Sequence, residues 1–61
     1  MYDLMTTTYT KQGKVIIEKI KVMGKEYAEQ LADEYYDCIN VHQVEVTDSF
    51  TGELVYYHAK K

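Results

Sequence analysis

The chain is 61 residues long, with 7 Lys+Arg against 10 Asp+Glu and a formal net charge of -3. A chain of this size buries only about 60% of the surface its unfolded form exposes, which leaves room for one thin-cored domain over residues 1–61 and none for an enzyme with a deep pocket. It has no Pro and no Trp, and all of its basic residues are Lys, so the Arg forks that read phosphate or guanine bidentately are missing.

Residues 2–10, rich in Thr and Tyr, suit a pleated strand better than a helical turn. Lys11-Gln12-Gly13-Lys14 follows with a glycine able to take positive φ, and Val15–Val22 is a second β-branched run, so the two read as a hairpin. Ile16, Ile20 and Val22 share a parity that assigns them to the core face. Ile16, Ile20 and Met23 also match a helical period, which keeps a helix open as the alternative for this run.

From Gly24 the spacing changes. Ala28, Leu31, Ala32, Tyr35, Cys38 and Ile39 recur three and four apart, the stripe of an amphipathic helix over residues 25–38. Val44 and Val46 then alternate with polar neighbours, residues 48–53 supply a turn with Gly52, and residues 54–59 return as a strand. The predicted fold is α+β with order ββαββ: a four-stranded antiparallel sheet with one amphipathic helix packed on one face, the other face open.

A lone cysteine, Cys38, cannot close an intramolecular disulfide, and the first residues show no secretory signal pattern, so a cytoplasmic location is expected. The longest aliphatic run, Val15–Ile17, is far below the ~20 residues of a membrane-spanning helix. No catalytic set is visible. Ser49 sits in a turn beside Asp48 while His42 and His58 lie on flanking strands, and Cys38 belongs to the apolar stripe as a small buried thiol. Cys38, His42 and His58 are too few and too irregularly spaced for structural zinc. No enzyme activity, metal or cofactor is expected.

Three surfaces remain as binding candidates. Glu26, Glu29, Asp33, Glu34 and Asp37, with only Lys25 against them, give the helix an acidic ridge, and Tyr36 falls between Asp33 and Asp37 as an expected exposed aromatic. Such a ridge suits a basic partner surface, although acids also coat helices for solubility alone. Tyr56 and Tyr57 must point to opposite sides of the sheet, so one of them, assigned as Tyr57, offers an aromatic contact on the uncovered face. A homodimer through that open face is a further option. Lys14, Lys19 and Lys21 in the first hairpin, with Tyr2 and Tyr9 nearby, form the alternative, a small nucleic-acid-binding face. The charge is uneven along the chain: residues 1–23 carry four Lys and two acids, a net of +2, and residues 24–61 carry three Lys and eight acids, a net of -5.

The run Lys25-Glu26-Tyr27-Ala28-Glu29-Gln30-Leu31-Ala32, followed by Val44–Tyr56 with its Thr51-Gly52-Glu53 turn, resembles small proteins encoded by phages and mobile elements, including anti-CRISPR inhibitors. The likeness covers residues 24–58. It implies a non-enzymatic, protein-binding inhibitor whose partner is a host nucleic-acid-processing complex. Within that group, the inhibitors of type I surveillance complexes that it resembles in layout use a basic surface, whereas this helix is acidic, so no functional residue is carried across.

Overall fold

The computed structural model describes residues 1–60; Lys61, the last residue of the expected domain, lies outside them. Strands β1 (Tyr2–Tyr9) and β2 (Val15–Val22), helix α1 (Lys25–Tyr36), and strands β3 (Val41–Asp48) and β4 (Leu54–Ala59) follow in the expected order. They build one antiparallel sheet in the order β2-β1-β3-β4. Because β2 and β3 both run antiparallel to β1, they are parallel to one another on either side of it. Helix α1 is the crossover that joins them.

Both hairpins close as their turn residues dictate. In the first, the Thr10 amide donates to the Lys14 carbonyl at 2.9 Å, and the Lys14 amide donates back to Thr10 Oγ1 at 3.1 Å. In the second, Asp48 Oδ1 accepts from the amides of Phe50 and Thr51, an Asx-type turn. Gly52 then takes φ 75°, the left-handed conformation that L side chains resist. At the other special junction, Gly24 caps the helix with φ 90°, which turns the chain from the edge of the sheet onto its face.

The buried apolar residues are Leu4, Val22, Ala28, Ala32, Val41, Val44 and Val46. Leu4 stands opposite Val46 on one side and Ile20 on the other, so one parity of the central strands faces the helix. Ala28 and Ala32, both fully buried, let α1 lie close to β1 and β3. That lateral position corrects one expectation. Ile16 and Ile20 do share the parity of Val22, yet they remain 44% and 39% exposed, because β2 is the sheet edge and the helix does not reach over it.

The helix also ends two residues earlier than the spacing predicts. The Cys38 amide bonds to the Tyr35 carbonyl in a tightened last turn, and the chain then reverses so that the Asn40 carbonyl can accept from the Tyr9 amide and β3 can begin. Cys38 and Ile39 therefore leave the apolar stripe. Cys38 is exposed rather than a buried thiol, and Ile39 is 91% exposed. Among the described residues no helix is long and apolar enough to cross a membrane.

Candidate functional site

Helical spacing fixes what the outer side of α1 displays. With Ala28 and Ala32 against the sheet, Glu26, Gln30, Glu34 and Asp37 project on the opposite side, while Asp33 and the half-buried Glu29 lie on the flank facing β4. Glu26 is the acid of the first turn; the last turn has no basic residue, and Asp33, Glu34 and Asp37 crowd the helix's C-terminal end. Among the described residues no side-chain hydrogen bond or ion pair engages the carboxylates of Glu26, Glu34 or Asp37.

The flank facing β4 is a built contact. Tyr56, on the helix side of β4 opposite Val46, donates its hydroxyl hydrogen to Asp33 Oδ1. That hydrogen bond, with partial burial and the charges of Asp33 and Glu29, pushes the Tyr56 phenol from its ordinary 10.0 up to about 12. Tyr36 corrects a second expectation: it is half-buried against the core rather than an exposed member of the ridge. Its ring meets His58 at 5.0 Å between centroids, and Lys60 Nζ lies 5.1 Å from its centre. Lys60 also donates to the Cys38 carbonyl at 2.9 Å, which places one positive charge at the negative end of the helix dipole.

A raised phenol stabilises the fold only while it is protonated. The Tyr56 contribution is complete below pH 10.0 and is lost as pH rises through about 12. In an ultraviolet titration of the seven tyrosines, one phenol is expected to ionise after the rest, and Asp33→Ala should return it to the main group. An unchanged profile in that variant would show that Asp33 is not its partner.

The open face of the sheet carries the odd-numbered residues of β1 and β2. Across it Lys21 lines up with Asp3 and Thr47, and Lys19 with Met5, Glu45 and Tyr57. Tyr57 is 49% exposed on this face, which settles which of the consecutive tyrosines points away from the helix. Lys21 Nζ approaches Asp3 Oδ1 to 3.4 Å. Burial raises the Asp3 carboxyl, and neighbouring Ser49 and Lys21 together lower it more, so it sits below its usual value. The Ser49 hydroxyl makes no hydrogen bond of ordinary geometry, which leaves Lys21 as the firmer partner. Lys14 stands at the hairpin turn, apart from Lys19 and Lys21 in the strand. At the far end of this face the Tyr9 ring stacks on His42, centroids 4.7 Å apart.

The histidines thus belong to different sides of the sheet, His42 against Tyr9 and His58 against Tyr36 of the helix. Among the described residues no group of three or more His, Cys, Asp or Glu side chains converges on one point. A groove of about 200 Å³ lies where the helix stops short of β2, lined by Leu4, Thr6, Glu18, Ile20, Tyr35 and Val41. Tyr35, assigned by spacing to the core stripe, forms its wall and is 38% exposed. Among the described residues, Glu18 and the Tyr35 phenol are the only ionisable groups lining the groove.

The Asp33–Tyr56 contact and the groove escaped the sequence reading. Tyr56 shares the strand parity of His58, whose partner is the buried Val44, so its direction was available once register was known. Its helical acceptor depends on where α1 lies across the sheet. Comparison with family models, curated proteins and solved structures finds no match for the chain.

Proposed function

We propose that this chain is a non-enzymatic, cytoplasmic protein-binding module whose acidic helix ridge docks on a basic surface. The partner class favoured by that charge is a host nucleic-acid-processing protein, whose phosphate-binding surface the carboxylates would occupy, as a phage-type, anti-CRISPR-like inhibitor would. One observation carries the reading. Glu34 and Asp37, neither held by a side-chain partner among the described residues, stand at the negative end of the helix dipole, where acids cost roughly 0.3–1 kcal/mol each. Acids serving only as a solvated coat would be better placed in the first turn; local choices made against stability mark functional surfaces. Tyr27, 58% exposed on the same helix, and Tyr57 on the open face add aromatic contact area to either side.

The lysine hairpin is the weaker surface for a partner, because Asp3 and Glu45 alternate with Lys21 and Lys19 across the open face. The discriminating variant is Glu34→Lys/Asp37→Lys, which spares the Asp33–Tyr56 contact and leaves Glu26 in the first turn, where an acid is favourable. Reversing charge at the helix C-terminus should hold or raise the melting temperature. In capture from host lysate, wild-type protein should retain a nucleic-acid-processing protein that added DNA or salt displaces, and the variant should retain at least about tenfold less. Equal retention by both proteins would reduce the ridge to a solvated face.

A further inference from the structure

We infer that the chain pairs with a second copy of itself through the free edge of β2, in a register centred on Ile16. All of β2 except Val22 is exposed, and Val15, Ile16 and Ile17 leave 55%, 44% and 62% of their surfaces in solvent. Long apolar edge strands are the part of a sheet that natural proteins blunt with proline, bulges or outward lysines. Edge strand β4 has a bulge where Val46 gives way to Thr47 in its pairing. Strand β2 pairs with β1 without interruption, and the chain has no proline. Its lysines protect only the C-terminal half, at Lys19 and Lys21, leaving residues 14–18 open.

The geometry of the edge selects the register. The Thr10 amide bonds to the Lys14 carbonyl, so Lys14 turns its backbone inward; by antiparallel alternation Ile16 and Glu18 also face β1, and Val15 and Ile17 aim their N–H and C=O groups outward. A symmetric antiparallel pair requires a two-fold axis perpendicular to the sheet, which keeps each face on its own side and pairs residues of like parity. Centring the axis on Glu18 sets Glu18 against the partner's Glu18, and centring it on Lys19 sets lysine against lysine. Centring it on Ile17 places Ile16 opposite the partner's Glu18 and Val15 opposite the partner's Lys19.

Only the register centred on Ile16 is complementary throughout. Val15 and the partner's Ile17 then exchange both backbone hydrogen bonds, as do Ile17 and the partner's Val15. Ile16 meets the partner's Ile16, and Lys14 faces the partner's Glu18 at a non-hydrogen-bonded position, where opposed side chains are closest. Glu18 lines the groove beside α1, so the partner's Lys14 adds a positive charge to a site that one chain leaves with a lone carboxylate. The product is a continuous eight-stranded sheet, two four-stranded sheets joined edge to edge, with both helices on the same face. This pairing stands apart from the ridge proposal, since it uses no residue of α1 and none of the ridge.

Sedimentation equilibrium at concentrations up to about 1 mM tests it. The wild-type mass should rise from one chain toward two as concentration increases. Lys14→Glu and Glu18→Lys should each weaken association by about tenfold, because every pair is reversed twice by symmetry. The double variant Lys14→Glu/Glu18→Lys should recover wild-type association, and Ile17→Lys should abolish it. All of these positions are exposed, so circular dichroism should stay unchanged. A mass of one chain throughout, or a dimer in which the double variant is as weak as the single ones, would overturn the proposal.

Discussion

Leu4→Ala is expected to remove about half of the protein's stability at room temperature. Leu4 is 1% exposed and sits in a central strand, flanked by Val46 and Ile20; among the described residues Val44 and Val46 are the only other large side chains that are fully buried. Truncating a buried leucine removes about 2–5 kcal/mol through lost transfer energy and the cavity left behind. At about 0.05–0.15 kcal/mol per residue, a chain this short has roughly 3–9 kcal/mol in total. The neighbouring strands cannot collapse into the gap, because β1 is hydrogen-bonded on both sides. Urea titration followed by circular dichroism should show the midpoint fall to about half its wild-type value, whereas Ile17→Ala, on the exposed edge, should stay within about 0.5 kcal/mol of wild type. A shift of under about 1 kcal/mol for Leu4→Ala would mean that the core lies elsewhere.

The second large effect is expected from the opposite change, Ala32→Leu. Ala28 and Ala32 are fully buried and one turn apart, so they set how closely α1 approaches β1 and β3. A leucine there must lift the helix or force strained rotamers, at about 1–3 kcal/mol. For a domain of this size that corresponds to a fall in melting temperature of about 4–8 °C for each kcal/mol. The lift should also separate Asp33 from the Tyr56 hydroxyl, so the late-ionising phenol should move down with the melting temperature. A variant that melts like wild type would show that the helix is not seated on its alanines.

The contrast between these two sites and the exposed isoleucines shows where sequence pattern is informative. Alternation along Val15–Val22, the three-and-four spacing from Ala28 to Tyr35, and the glycines at both turns report local conformation, and each element formed within two residues of its expected bounds. The ββαββ antiparallel sheet follows from them. Periodicity records which side of an element is apolar, but not which strand lies beneath the helix. That depends on β3 inserting beside β1, a pairing between residues as distant as Tyr2 and Asp48. With β2 thereby left at the edge, Ile16 and Ile20 have the parity of core residues and the exposure of surface ones.

The acidic ridge was legible for a related reason. Charges placed at helical spacing on the side away from Ala28 and Ala32 need no tertiary information to be located. Tyr36 was not, because its environment is supplied by His58 on β4 and Lys60 just beyond it. The bulges at His42 and Val55 shift register by one residue in β3 and β4, and nothing in composition or spacing announces them.

The early end of α1 leaves a practical handle. Cys38, the chain's single cysteine, is exposed immediately after Asp37 at the end of the acidic ridge. A thiol-reactive fluorophore would attach there stoichiometrically and at no other side chain, without a substitution to create the attachment point. Because the backbone at this position is held by the Tyr35 carbonyl on one side and by Lys60 on the other, the dye would tumble with the domain. Its anisotropy would therefore follow the rotation of the whole molecule, and a slower rotation would register any occupant of the ridge in solution.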